Sequence, residues 1–93
     1  MVTFVLRVRD NMKLVKFEAD WCTKCKAMDK VLETMSLPFT IERIDVDENP
    51  HLSIEWGVRG IPMMMLLDEH NNILKRIGGV HTKEQLEEAL NLQ

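Results

Sequence analysis

Both cysteines of the chain lie in one hexapeptide, Trp21-Cys22-Thr23-Lys24-Cys25-Lys26. Two cysteines separated by two residues are one helical turn apart, so their sulfurs can bond if a helix begins there. A cysteine at a helix start faces unpaired backbone N–H groups and the positive end of the helix dipole, and both favour the thiolate. The spacing therefore predicts thiol–disulfide exchange, with Cys22 as the nucleophile and Cys25 as the resolving thiol.

Other uses of the cysteine pair stay open at this point. A zinc site needs about four ligands, and the chain adds only His51, His70 and His81, none of them paired at ligand spacing. A fixed structural disulfide would close a loop too short to constrain the unfolded chain much, so it would stabilise the fold little. Two buried bystander thiols fit poorly with Lys24 and Lys26 beside them. The pattern favours redox chemistry without a bound metal.

Length and composition restrict the class of protein. A chain of 93 residues predicts one domain, residues 1–93, with a single core. The formal net charge of −3 offers no basic surface for nucleic acid or for an anionic membrane. The apolar run 61–67 is far too short to span a membrane, and the N-terminus lacks a signal-peptide pattern. We expect a cytoplasmic protein that is a monomer. In the cytoplasm, two cysteines at this spacing favour redox chemistry over a disulfide framework.

The elements around the cysteines follow from the spacing of apolar residues. Residues 14–19 are predicted to form a strand, and a second strand is predicted over 40–46. Between them, the spacing i, i+3, i+4, i+7 of an amphipathic helix is followed by Met28, Val31, Leu32 and Met35. The helix and the strands match in length. This segment is therefore predicted to be a right-handed βαβ unit with parallel strands.

The second half of the chain is predicted to add a helix and a hairpin. Asn49 as the cap and Pro50 at the first helical position are typical of a helix start. The unbroken apolar run 63–67 suits a buried strand, and 73–77 returns as the other arm of the hairpin.

A last helix is predicted to begin at a capping box formed by Thr82 and Gln85. The predicted order is βαβαββα, with a central mixed sheet of four strands flanked by helices. Residues 2–8 precede this order and are compatible with a strand or a short helix. As a strand, they would be a fifth member of the sheet.

Four motifs follow one another along the chain. They are Trp-Cys-x-x-Cys-Lys at 21–26, Asp45-Val46-Asp47-Glu48-Asn49-Pro50, Val58-Arg59-Gly60-Ile61-Pro62, and Gly78-Gly79 before the last helix. Together they resemble the thioredoxin family from residue 14 to the end, with a shortened N-terminus that lacks the usual first helix. The resemblance implies an α/β thioredoxin-like fold and a protein disulfide reductase with no bound cofactor. Its implied partners are disulfide-containing protein substrates and a flavoprotein thioredoxin reductase that uses NADPH.

The resemblance also implies a substrate groove beside the cysteines. Pro62 is expected to follow a cis peptide bond and to face the cysteines across the cleft. The Ile61 backbone would then be free to pair with an extended substrate segment next to Cys22. The groove is expected to be lined by Trp21, Gly60, Ile61, Pro62, Met63 and Gly79, whereas Trp56 is expected to pack in the core.

One departure from the family pattern lies between the cysteines, where Thr23 and Lys24 replace the usual Gly-Pro. The missing proline is expected to loosen the first turn of the helix. The Lys24 charge is expected to stabilise a neighbouring thiolate. Because this stabilises the dithiol, we expect a weaker reductant than typical thioredoxins.

A second departure is Lys16, six residues before Cys22, where thioredoxins place a buried acid that helps to deprotonate the resolving thiol. Glu18 lies on the same strand face and is expected to replace that acid, unless solvent does. Lys16 and Glu18 match Arg43 and Asp45 on the neighbouring strand, which predicts one charged, partly wet sheet face. The absent first helix would leave this face exposed.

Two other functions compete with a thioredoxin. A glutaredoxin would take electrons from glutathione; the short N-terminus and Gly78-Gly79 favour it, whereas the helix start at Pro50 and the Gly60-Ile61-Pro62 run favour a thioredoxin. A redox-silent binding module would dock a partner protein in the groove around Trp21 and Pro62, and its cysteines would be incidental.

Overall fold

The order of elements in a computed structural model, which describes residues 11–91, is the predicted βαβαββα order. The elements are β1 (Lys13–Glu18), α1 (Thr23–Glu33), β2 (Thr40–Asp45), α2 (Pro50–Glu55), β3 (Met63–Leu67), β4 (Ile73–Gly78) and α3 (Lys83–Ala89). Residues 2–8, whose sequence is compatible with either a strand or a short helix, lie outside the described residues.

The four strands form one mixed sheet in the order β2-β1-β3-β4. β1 and β2 are parallel, with Lys16 opposite Arg43, because the connection through α1 crosses over the sheet. β3 is antiparallel to both β1 and β4. Since Phe17 lies opposite Met63, the end of β1 meets the start of β3. This places the loop that carries the cysteines beside the segment that contains Pro62.

Alternate strand residues pack on opposite faces of the sheet. On one face the buried core consists of Leu14, Met64, Leu66 and Ile77 of the sheet together with Met28, Leu32, Leu86 and Leu90 of the α1 and α3 regions. On the other face, Val15, Phe17, Met65 and Leu67 pack against partly buried residues that include Leu52, Trp56 and Val58. The sheet is therefore covered by α1 and α3 on one face and by α2 on the other. Trp56 lies in the core region as expected, with its ring centroid 6.2 Å from that of Phe17.

Helix α2 begins where the sequence predicts, with Asn49 at the cap position and Pro50 in the first turn. The Asn49 side chain, however, makes no capping hydrogen bond to the helix. Its Nδ2 instead donates to the backbone carbonyl of Asp45 at 3.0 Å. The residue thus stabilises the turn that precedes α2. None of the helices in the part of the chain described here is long and apolar enough to cross a membrane.

The prediction of a wet, exposed sheet face is wrong for Lys16. Its side chain is 0% exposed, because α1 crosses over this end of β1 and covers it. Glu18 and Arg43 do lie on the same face and keep partial contact with solvent. Asp45 has a different role from the expected one, since its carboxylate accepts hydrogen bonds from two N–H groups of the following turn, at 2.8 and 3.2 Å.

Candidate active site

The two cysteines form a disulfide at the start of α1. Their Cα atoms are 5.2 Å apart, inside the usual range for a disulfide. Cys22 is the N-cap residue, and its Sγ accepts a hydrogen bond from the Cys25 N–H at 3.1 Å. Both side chains are nearly buried, but Cys22 is 6% exposed and Cys25 is 2% exposed. Cys22 is therefore the more exposed residue of the pair.

A short connection fixes the cysteines to the end of β1. The Cys22 N–H donates to the Ala19 carbonyl at 3.1 Å, and the Cys22 carbonyl accepts from the Lys26 N–H at 3.2 Å. The first turn of α1 contains no acidic residue, and Lys24 is exposed within it. The Cys25 N–H and the positive dipole end of α1 thus lie at the Cys22 sulfur, with no opposing carboxylate in that turn, which favours a thiolate after reduction.

An open groove of about 550 Å³ runs beside the disulfide. It is lined by Trp21, Val46, Pro50, Ser53, Ile54, Val58, Arg59, Gly60 and Ile61. We call this set the α2 groove. Trp21 is 67% exposed, and its Nε1 donates to Asp47 Oδ2 at 2.7 Å. The indole is thus held at the rim of the groove and does not pack in the core.

Ile61 joins the α2 groove to the cysteines. Its side chain packs against the buried cluster of Ala19, Cys22 and Cys25, and it also lines the groove. Within residues 11–91, neither the N–H nor the carbonyl of Ile61 is hydrogen-bonded to another backbone group. Both groups are therefore available to an extended chain placed next to the disulfide.

The remaining residues expected in the groove, Pro62, Met63 and Gly79, are not among those that line it. The Ile61–Pro62 peptide bond is cis, and the buried Pro62 accepts a hydrogen bond from the Gly79 N–H at 2.9 Å. Gly79 has a φ of 85°, a conformation that favours glycine. Met63 lies opposite Gly78. The structure thus brings Trp21, Gly60 and Ile61 together in one groove, whereas Pro62, Met63 and Gly79 are outside the set that lines it.

Sequence reasoning missed two features of this site. Ser53, Ile54 and Val58 line the α2 groove, and Ile54 is 78% exposed. An isoleucine on the outer face of a short helix was the available signal. Asp29 was the other omission. It lies four residues after Cys25, on the same side of α1. A carboxylate at that position was the available signal for a polar contact between α1 and the sheet.

Four charged side chains meet where α1 crosses the sheet: Lys16, Glu18, Asp29 and Arg43. We call them the charge cluster. Lys16 Nζ contacts Glu18 Oε1, and it lies 3.0 Å from Asp29 Oδ1. Arg43 Nη1 lies 2.9 Å from the same Glu18 oxygen and 2.5 Å from the same Asp29 oxygen. Each cation therefore contacts both carboxylates.

The contacts within the charge cluster shift the pKa of two of its members, Asp29 and Arg43. Burial raises the pKa of Asp29, but the hydrogen bonds from Arg43 and Lys16 outweigh that effect and hold the pKa below its ordinary value. The hydrogen bond to Asp29 raises the pKa of Arg43. Both residues are therefore charged at neutral pH.

Comparison with known proteins shows that this chain is similar to thioredoxins in sequence and in fold. Residues 3–92 match the family model described as Thioredoxin. A thioredoxin from Listeria monocytogenes is 32% identical over 93 residues, which cover 96% of this chain and 89% of that relative. A thioredoxin from Buchnera aphidicola is 31% identical over 83 residues, covering 85% and 75% of the two chains. The solved structure of a mutant thioredoxin from Halobacterium salinarum has a TM-score of 0.76 at 29% identity, over 90% of this chain and 75% of that one.

Proposed function

This chain belongs to the thioredoxin family, and we propose the following mechanism for its reaction. It is a thioredoxin-like protein disulfide reductase, and therefore a thiol–disulfide oxidoreductase. The observation that carries this conclusion is the Cys22–Cys25 disulfide at the N-terminus of α1. The roles of the individual residues in the reaction are our proposal.

The reduced protein begins with the Cys22 thiolate and the Cys25 thiol. Cys22 attacks one sulfur of a substrate disulfide, so that the substrate S–S bond breaks and its other sulfur leaves as a thiolate, which takes a proton from solvent. Cys25 then loses its proton and attacks the Cys22 sulfur of the mixed disulfide. The second substrate sulfur leaves, and the two electrons have passed to the substrate. The greater exposure of Cys22 and its N-cap position support this order.

The substrate is a protein whose disulfide lies in an extended or locally unfolded segment. We propose that its backbone pairs with the unpaired N–H and carbonyl of Ile61. A neighbouring apolar side chain would enter the α2 groove beside Trp21, which is exposed and fixed by Asp47. Aromatic and branched apolar residues with exposed surface suit such a contact, because burying them stabilises the complex.

The electrons come from NADPH through a flavoprotein thioredoxin reductase, and the chain itself holds no cofactor. Its membership of the thioredoxin family supports this donor over glutathione, which a glutaredoxin would use. We also propose that residues 1–93 form one domain and that the protein acts as a cytoplasmic monomer. A pair of cysteines that cycles between dithiol and disulfide suits a reducing compartment.

Reduction of insulin tests this proposal and its two competitors in one assay. The chain is supplied either with NADPH and a thioredoxin reductase or with glutathione, NADPH and glutathione reductase. We expect turnover with the first system and little with the second, and none with Cys22→Ser in either. Turnover with glutathione as the only source of electrons for the chain, in the second system, would support a glutaredoxin. No turnover in either system, together with full biological activity of Cys22→Ser, would support a redox-silent binding module.

A further inference from the structure

The charge cluster contains a buried cation that takes no part in the proposed mechanism. Lys16 has a side chain that is 0% exposed, and Arg43 lies directly opposite it on β2. Two like charges at opposite positions on neighbouring strands destabilise a sheet, and an ammonium group buried without partners is strongly unfavourable. Glu18 and Asp29 remove both problems because each carboxylate contacts both cations. The two cations and two carboxylates sum to zero formal charge.

The charge cluster adjoins the reactive cysteines from two sides. Asp29 lies one turn after Cys25 on α1, which corresponds to a rise of about 6 Å along the helix. Glu18 is followed directly by Ala19, which packs against both cysteines. Lys16 is 0% exposed, and the side chains of Glu18 and Asp29 are only 24% and 31% exposed, so salt screens their charges less than it would screen fully exposed ones.

Reduction changes the charge beside the charge cluster. When two glutathione thiols reduce the protein disulfide, its S–S bond breaks, two electrons enter, and glutathione disulfide forms. One of the two glutathione protons remains on Cys25 and the other goes to solvent, while Cys22 is a thiolate. The reduced state thus carries one more negative charge than the oxidised state. A change in the charge of the cluster must therefore shift the balance between the two states.

We propose that Lys16 is a positioning residue that sets the dithiol–disulfide equilibrium of Cys22 and Cys25. It holds Glu18 and Asp29 beneath α1 and keeps the charge cluster neutral next to the Cys22 thiolate. This inference rests on the proposed function, because it needs a reduced state with an ionised Cys22. It differs from the role of a buried acid, since a cation and the neutrality of four side chains determine the equilibrium.

Two substitutions in the charge cluster are expected to act with opposite sign. Lys16→Met leaves the cluster with a net charge of −1, which disfavours the Cys22 thiolate and shifts the equilibrium towards the disulfide. Asp29→Asn leaves a net charge of +1 and shifts it towards the dithiol. Each shift is expected to be about fivefold, as for one unit charge roughly 10 Å away in a partly aqueous medium. The double variant is neutral again and is expected to return close to the wild-type value.

The experiment equilibrates each purified full-length variant in mixtures of reduced and oxidised glutathione, followed by acid quenching and mass analysis of alkylated thiols. Lys13→Met is the matched control, because it removes the same charge from the same strand. Lys13 is 36% exposed and pairs with Glu42 at 3.1 Å near the other end of β1. We expect this control to keep the wild-type equilibrium.

Folding is followed by circular dichroism and thermal unfolding of every variant. If Lys16→Met alone fails to fold, the neutral Lys16→Met/Asp29→Asn double variant is compared with Asp29→Asn alone, and the added Lys16→Met is expected to shift the equilibrium back towards the disulfide. The inference is overturned if Lys16→Met and Asp29→Asn shift the dithiol–disulfide equilibrium in the same direction, or if neither shift is larger than that of Lys13→Met. It is also overturned if the Lys16→Met/Asp29→Asn double variant does not return close to the wild-type equilibrium. Failure of wild-type protein to reduce insulin, with these shifts intact, would instead refute the proposed function.

Discussion

Cys22 and Cys25 are one helical turn apart, yet their surroundings differ. Cys22 is the N-cap residue, and its sulfur receives the Cys25 N–H. Cys25 is the more deeply buried of the two. We therefore expect Cys25→Ser to attack substrate and stop at the mixed disulfide, and Cys22→Ser to form none. Non-reducing mass spectrometry after incubation with a disulfide-bonded peptide measures both outcomes. A trapped adduct on Cys25 in the Cys22→Ser protein would reverse the assigned roles.

Lys24 is the residue between the cysteines whose charge can act on the nucleophile. It is exposed in the first turn of α1, and a cation close to Cys22 favours the thiolate. We expect Lys24→Gln to slow iodoacetamide alkylation of reduced Cys22 by about two- to threefold at neutral pH, as for other exposed charges near a helix end. Lys30→Gln, in the last turn of the same helix, serves as the control. Equal alkylation rates for the two variants would remove the argument for Lys24.

Asp29 gives a pH dependence whose sign follows from its contacts. Burial raises its pKa, but the hydrogen bonds from Arg43 and Lys16 dominate and place the folded-state pKa below the ordinary value of 3.8. A lowered pKa contributes stability that is fully present above the unfolded-state value and is lost as the pH falls through the folded-state value. We expect the free energy of unfolding of the wild type to fall more steeply below about pH 4 than that of Asp29→Asn. Urea unfolding as a function of pH measures this, and parallel curves would contradict it.

At the scale of the element, helix α1 connects the site to the core. Its buried residues are Cys25, Met28 and Leu32, so one face of the helix carries a reactive sulfur and two core side chains. Met28 Sδ also accepts a hydrogen bond from the His81 N–H at 3.4 Å. The position of the cysteines therefore depends on contacts with the loop that precedes α3.

The capping box of α3 offers a test of stability at the scale of the element. Gln85 N–H donates to Thr82 Oγ1 at 3.1 Å, and Thr82 N–H donates to Gln85 Oε1 at 2.9 Å. Since α3 places the fully buried Leu86 in the core, loss of its cap weakens the whole fold. We expect Thr82→Ala to lower the free energy of unfolding by about 1 kcal/mol. Urea unfolding measures it, with the neighbouring exposed Lys83→Ala as a control that changes it by less than about 0.5 kcal/mol. Equal losses would contradict a capping role.

At the scale of the whole molecule, the α2 groove is built from segments that are distant in the sequence. The loop after β1 contributes Trp21, α2 contributes Ile54, and the segment before β3 contributes Ile61. These residues meet because β1 and β3 are antiparallel neighbours and α2 covers the opposite face of the sheet from α1. Ile61 links this groove to the disulfide, because it lines the groove and also packs against the buried cluster that contains both cysteines.

Ile54 provides a test of that surface. It is 78% exposed, so Ile54→Ala should change the free energy of unfolding by less than about 0.5 kcal/mol. We expect it to raise KM for a protein disulfide several-fold and to leave the alkylation rate of Cys22 unchanged. Ile73→Ala is the matched control, because Ile73 is 41% exposed but lies on β4, outside the groove. The same KM for both variants would show that substrates do not use the α2 groove.

The sequence by itself determined the order of elements, the family and the reactive pair. The spacing of apolar residues places α1, the Thr82–Gln85 pair forms the predicted capping box, and the two cysteines are at disulfide distance. These features depend on residues within about two helical turns of each other, where backbone geometry leaves few arrangements.

Only the tertiary structure decided which distant side chains meet. Arg43 lies 25 residues from Glu18 and 14 residues from Asp29 along the chain, yet it contacts both. Whether Lys16 faces solvent or a helix depends on where α1 crosses the sheet. The alternation of polar and apolar residues along a strand does not determine the position of that helix. Burial and charge compensation in this protein are therefore properties of the packed elements, because they arise from the crossing of segments that the sequence keeps far apart.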